Sequence, residues 1–437
     1  VLKIHVVHEG RHHYYLEGLV PGRAEGTLVA GEDPGTWSGS AAGTLGLAGR
    51  VEAASFAEVM AGRDPGSGRP LRARAGDGSV AAYDLSFCAP KSVSLVHLLA
   101  PREVAVETGA GHRAAVAEAA AYLERSALAV RRRDQGRDDM LPTTGGVAGG
   151  FLHRTSRALD PHLHTHLVVA NAAQGVDGRW SALDSRRLHT HLQAAQGIYH
   201  ARLRLELTVR FGAAWEVGPG GLGDLVGVPS ELRHLFSQRS ADMARFEYAR
   251  HGRLGRRYGR GAFHSTRQPK EAGPTVEDLR REWRSRAADF GYDLGDLTRV
   301  VGLGGRERDQ PPIDLDDVGR RLDRATRDQR PLAHHDLVAL LSASSVAGAR
   351  AESIEALAAS LAEAAGPPCA RGGGPSRCAA TGREVSRWRA EELRRALDGG
   401  IHPKHHRERR ADGRRPLERA PRDLEPEIPG MSLGRAR

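Results

Sequence analysis

Lysine is nearly missing from this chain: of 64 basic residues only Lys3, Lys91, Lys270 and Lys404 are lysine, against 54 acidic residues. The net charge of +10 is therefore carried by arginine, whose planar fork suits bidentate phosphate contacts, although GC-rich codon usage accounts for the larger share of such a skew. None of the four lysines follows a glycine, so no Gly-x-x-x-x-Gly-Lys phosphate loop stands in these 437 residues and ATP-driven unwinding is not expected of them. Cysteine is as scarce. Cys88, Cys369 and Cys378 are odd in number and lack zinc-type spacing, which argues against a disulfide framework and for a reducing compartment. No apolar run is long enough to span a membrane and no signal-peptide core opens the chain, so a cytoplasmic protein without membrane insertion is expected. Aromatic residues make up only 5%, and all eight tyrosines fall in the first 300 positions.

What is present reads as an α/β protein. Strands are expected at 2–7, 81–87, 92–99, 146–153 and 163–173, and long helices at 103–133 and 188–211, where apolar residues recur at helical spacing. A hairpin turn is marked by Gln174-Gly175-Val176-Asp177-Gly178, with Trp180 opening the return strand. Further helices are expected at 230–252 and at 275–290, the latter anchored by Trp283. Beyond about residue 303 the character changes to charged, Ala-rich helical pieces at 314–327 and 332–365. The run GPPCARGGGPSRC has linker composition, and the basic, proline-containing tail from 402 to 437 is expected to be disordered. The basic balance, with a pI near 10.0, favours a polyanionic partner such as nucleic acid.

The chemistry concentrates in FLHRTSRALDPHLHTHLVVAN, residues 151–171. Side chains alternate along a strand, so His164 and His166 point the same way, and His153 on the preceding segment can supply a third imidazole. Three neutral imidazoles leave positions open on one divalent ion, the arrangement of a catalytic metal that can polarise a phosphoryl oxygen. Mg²⁺, Mn²⁺ and Zn²⁺ are all candidates. His162 also alternates onto this face, as a spare ligand or a phosphate contact, but its place beside the turn favours a surface position.

A second motif, YDLSFCAPKSVS, runs from Tyr83 to Ser94. Alternation puts Asp84, Ser86 and Cys88 on one face and Leu85 and Phe87 on the other, so Asp84 can share the face of the histidines. A carboxylate there could fix the tautomer of a ligand imidazole or take the proton of a nucleophile, and both roles stay open. Lys91 in the following turn either contacts phosphate or is solvated. A third element is the adjacent pair Tyr14-Tyr15. A tyrosine oxygen can attack a phosphodiester and keep the bond energy in a phosphotyrosine.

A tyrosine cluster, a D-L-[ST]-F-x-A-P-K-S-V-S segment and an H-x-T-S-R-x-x-D-P-x-L-H-T-H segment, in this order, resemble the MobF-class conjugative relaxases of the HUH endonuclease superfamily. The likeness takes in the DPGTWSG and LGLAG runs and the region of Trp283, and covers roughly residues 1 to 300. It implies a two-layer palm built on an antiparallel sheet with helices. It implies His153, His164 and His166 as metal ligands, Tyr14 as the first nucleophile and Asp84 as the carboxylate that orients a ligand histidine or assists deprotonation. The implied substrate is single-stranded or hairpin transfer-origin DNA, with relaxosome accessory proteins and a type IV secretion coupling protein as partners. The chain departs from the pattern in having no second tyrosine pair downstream, which leaves Tyr15 for a second strand transfer. Residues 1–300 are accordingly expected to form the relaxase domain, 301–366 a helical region left from a helicase, and 367–437 a linker and basic tail. A rolling-circle replication initiator would share the chemistry, and an inactive single-stranded-DNA-binding remnant is the rival from outside the enzymes.

Overall fold

The computed structural model describes residues 2–10, 35–73, 78–134, 137–156, 158–238, 274–293, 313–327, 331–365 and 387–398, with 295 and 297. Tyr14 and Tyr15 lie outside the described residues, as do 239–273 and the tail beyond 398.

A seven-stranded antiparallel sheet forms the centre. Its main path runs β1 (Leu2–His8), β3 (Val80–Cys88), β6 (Pro161–Gly175), β5 (Arg137–Thr155), β2 (Thr36–Ser38). β4 (Ala129–Asp134) extends it by pairing with β5, and β7 (Trp180–Ser181) folds back on β6 through the expected turn. The two faces of this sheet are covered differently. Tyr83, Leu85, Phe87, Leu163, Leu167 and Val169 point into a large core under the helices α3 (Arg102–Ser126) and α4 (Ser185–Phe211). Trp37, Phe56, Phe151, Val168 and Ala170 form a smaller cluster on the opposite face, where α1 (Ala53–Met60) packs. The rest of that second face carries the histidines.

Two expected elements differ. Residues 92–99 are not a strand but part of α2 (Lys91–Leu99), whose residues from Ser92 to Leu99 are all buried. The alternation of Ser92 and Ser94 with Val93 and Leu95 imitates a strand, and a short apolar run buried on all sides has no amphipathic stripe to betray its helical period. Its serines are used as polar anchors: Ser92 donates from both N and Oγ to Asp224, and Ser94 Oγ donates to the Pro90 carbonyl. The expected helix over 103–133 stops at Ser126, because Ala129 to Asp134 pair with the first half of β5. Of the helix expected over 230–252, Ser230–Leu235 is described as α5. The helix α6 (Val276–Asp289) begins with the reciprocal capping box of Thr275 and Asp278, and buried Trp283 donates its indole N–H to the Leu159 carbonyl at 2.9 Å.

The C-terminal helices are bound closely to this body. The stretch expected to be helical over 332–365 divides into β8 (Leu332–Ala333), α7 (His334–Ala343) and α8 (Ala351–Ala364). The guanidinium of Arg204 on α4, 1% exposed, donates to the carbonyls of Ser342, Ser345 and Gly221 at 2.9, 3.0 and 2.6 Å. Gly348, at φ +98°, lies so close to α4 that a Cβ would collide with the Leu205 nitrogen and the Ala201 carbonyl. Part of the stretch expected as linker and tail, 367–437, forms regular elements: β9 (Arg387–Trp388) pairs with β8, and α9 (Ala390–Asp398) buries Leu393. The linker and the basic tail from 402 onward lie outside the described residues.

Candidate metal centre

The site is built by three adjacent strands in register. His153 on β5 stands opposite His164 on β6, and Ser86 on β3 stands opposite His166, so all four share the less covered face. Ring centroids are 5.3 Å apart for His153–His164, 5.1 Å for His153–His166 and 5.0 Å for His164–His166. One nitrogen from each lies within 4.8 Å of the others, which makes this the one cluster able to hold a metal ion among the described residues.

Hydrogen bonds decide which nitrogen each ring presents. His166 Nδ1 sits 2.9 Å from both carboxylate oxygens of buried Asp84 and 3.2 Å from Ser86 Oγ, so Nδ1 carries the proton and Nε2 keeps its lone pair. His164 Nδ1 donates to the His162 carbonyl at 2.9 Å and likewise leaves Nε2 bare. Burial pushes His153 down to about 3, with neighbouring His166 adding to the effect, and burial holds His164 well below its ordinary value. Neutral imidazoles with fixed tautomers are the form that binds a cation. The donor set therefore fits a divalent ion.

Asp84 is where alternation put it, hydrogen-bonded to His166. Ser86 was on the right face by the same alternation, but nothing in the sequence marked it as a partner of His166. Two neighbours differ from expectation. His162 is half-buried rather than fully exposed: its ring stacks on His164 at 4.6 Å, and burial pushes it down to about 3. It is also outside the ligand cluster. Lys91 is half-buried rather than simply solvated: its Nζ donates to the carbonyls of Pro161 and Phe236, both at 2.7 Å. It ties the start of α2 to the start of β6, and burial lowers it to about 8. A cleft of about 680 Å³ is walled in part by Cys88, which stands opposite His164 in the sheet, and by Lys3, Lys91, His162, Glu216 and Arg233; the three histidines themselves do not line it. Lys3 was missed because an isolated lysine on an edge strand has no pattern; its register opposite Ser86 puts it on the site face.

Comparison with known proteins agrees with this geometry. The chain is 35% and 33% identical, over 216 residues, to two multifunctional conjugation proteins TraI of Escherichia coli, one of them from strain K12. Each match takes in 47% of this chain but only 12% of the TraI length. Among solved structures, the conjugative relaxase TrwC in complex with OriT DNA superposes with a TM-score of 0.58 at 29% identity, over 67% of this chain and all of the chain in that structure. The same score and coverage hold for a metal-bound TrwC complex, and for TrwC with a 27-mer DNA comprising the recognition hairpin and the cleavage site. The model of the TrwC relaxase family matches residues 5–290, well over half of the sequence and inclusive of every strand of the central sheet except the first residues of β1. The chain belongs to the TrwC relaxase family.

Proposed function

We propose that this chain nicks one strand of DNA at a conjugative transfer origin and transfers it through a 5′-phosphotyrosine at Tyr14. The observation that carries the reading is the convergence of His153, His164 and His166 with Asp84 behind His166. A divalent ion held there would act as a Lewis acid on the scissile phosphoryl group. Mn²⁺ and Zn²⁺ suit three imidazole nitrogens better than Mg²⁺ does.

The chain's own residues would do the rest. Asp84 keeps His166 in the tautomer that aims Nε2 at the ion, a positioning role that its two short hydrogen bonds support over service as a base. The Tyr14 oxygen attacks phosphorus and forms the tyrosyl ester while the bond from phosphorus to the 3′ oxygen breaks. The phenolic proton passes to a base, and the leaving oxygen takes a proton to become a free 3′ hydroxyl. Tyr15 would serve the second transfer. Because the TrwC structures hold OriT DNA, single-stranded or hairpin origin DNA is the proposed substrate, with relaxosome accessory proteins and a coupling protein as partners in the cytoplasm. The relaxase unit would span residues 1–300, extended by the helices from 315 to 364 that share its core.

The test is adduct formation with single-stranded oligonucleotides tiled across the DNA flanking the gene, followed by peptide mapping. Wild-type protein should give a covalent adduct on Tyr14, and Tyr14→Phe should give none in the first step. A full adduct yield from Tyr14→Phe, labelled on Tyr15, would reverse the assignment, and no adduct from the wild type on any strand would remove the enzyme reading.

A further inference from the structure

Directly beneath the metal centre, on the helix-covered face of the sheet, three buried polar side chains are joined in a row. Thr165 stands between His164 and His166 on β6, so its side chain points away from theirs. Its Oγ1 lies 2.8 Å from Nε2 of His112 on α3, and His112 Nδ1 lies 2.9 Å from the hydroxyl of Tyr199 on α4. Thr165 is 7% exposed, and His112 and Tyr199 are completely buried. The imidazole and phenol meet edge to face at 5.7 Å, and Phe87 of β3 packs on the same phenol at 5.5 Å.

We propose that the Thr165–His112–Tyr199 row is a positioning device for the metal-binding pair His164 and His166. The neighbours of Thr165 on this face, Leu163 and Leu167, are held by apolar contact, which is nearly indifferent to small sliding. A hydrogen bond is not, because it weakens steeply with distance and angle. The row therefore fixes the height of the middle of the His-Thr-His segment against two helices at once. His112 can play this part because burial pushes it down to about 3, so the ring stays neutral, with one nitrogen donating and the other accepting. A valine at 165 would match the shape of threonine and keep the apolar contacts, but it would leave His112 Nε2 without its partner and the ligand pair free to shift.

The inference rests on the metal reading, and the experiment separates the two. Mn²⁺ binding to the full chain is measured by calorimetry and by the electron paramagnetic resonance line shape of the bound ion. Thr165→Val should weaken Mn²⁺ binding about 10-fold and broaden the line shape, and Thr165→Ser, which keeps the hydroxyl, should restore both. Tyr199→Phe removes the far end of the row and should give a smaller shift in the same direction; it also serves should Thr165→Val fail to fold. Wild-type affinity and line shape in both Thr165→Val and Tyr199→Phe would overturn the positioning role while leaving the metal centre intact. A wild-type chain that takes up no Mn²⁺ would overturn the metal reading and this inference with it.

Discussion

The two faces of β3 and β6 are made by the same residues in alternation, yet they serve different ends. On one face Tyr83, Leu85, Phe87, Leu163, Leu167 and Val169 disappear under two long helices. On the other, one residue away in every case, Asp84, Ser86, His164 and His166 meet His153 across the register. A strand that carries a buried core on one side cannot slip by a residue without turning all its apolar groups to the wrong face, so the core holds the candidate metal ligands in register. The helix face supplies most of the rigidity, and beyond the Trp37–Phe56–Phe151 cluster the other face can be left polar because that part does not have to hold the sheet together.

This division can be broken most sharply by one substitution on each face. His164→Ala should abolish Mn²⁺ uptake and nicking while leaving the urea midpoint of the metal-free chain close to that of the wild type. Phe87→Ala, on the same layer of the sheet but facing the helices and fully buried, should cost about 3–5 kcal/mol of unfolding free energy. Equal loss of stability in both variants would mean that the site face is part of the structural core after all.

How far this was legible in the sequence follows from the same alternation. The spacing of His164 and His166, and of Asp84 and Ser86, fixes their faces without any knowledge of the third dimension. That His153 joins them needed the pairing of β5 with β6, which the intervening turn residues made a fair expectation. Residues 92–99 were misread because a completely buried short helix has no polar stripe. The end of α3 was misread because strand pairing with β5 overrides helical periodicity at Ala129. His112, Tyr199 and Arg204 could not have been found at all: each is a single polar residue in a helix, and only the neighbouring elements give it a partner. The clearest contrast is between Asp84 and Lys91, seven residues apart in one motif. Asp84 went where its strand parity required, whereas Lys91 was captured by two carbonyls from elements 70 and 145 residues away.

A milder change tests whether the site face depends on charge as well as on shape. Asp84→Asn keeps the volume of the side chain and one oxygen to accept from His166 Nδ1, but removes the negative charge that makes the imidazole a better donor to a cation. Single-turnover nicking should fall roughly 10²-fold, with Mn²⁺ affinity reduced in parallel. A loss of rate with unchanged Mn²⁺ affinity would instead point to Asp84 as a proton acceptor, which would shift it from positioning to chemistry.

The smallest effect concerns protons on the helix face, where His112 is locked in the neutral form far from any open surface. Burial lowers it from 6.5 to about 3, so below pH 6.5 the unfolded chain takes up a proton that the folded chain refuses. Its contribution to stability is complete above pH 6.5 and is lost progressively as pH falls towards 3, by up to about 1.4 kcal/mol per pH unit. His97 and His191, lowered by burial to about 4 and about 3, add slopes of the same sign. Urea unfolding of the metal-free chain should therefore show a lower midpoint at pH 5 than at pH 7. His112→Gln, which substitutes a neutral amide, should flatten that dependence by the share of one histidine, although it lowers stability at pH 7 by disturbing Thr165 and Tyr199. An unchanged slope in His112→Gln would show that the ring is protonated in the folded state, and the row beneath the metal centre would then have to be rebuilt around a charged imidazole that donates from both nitrogens.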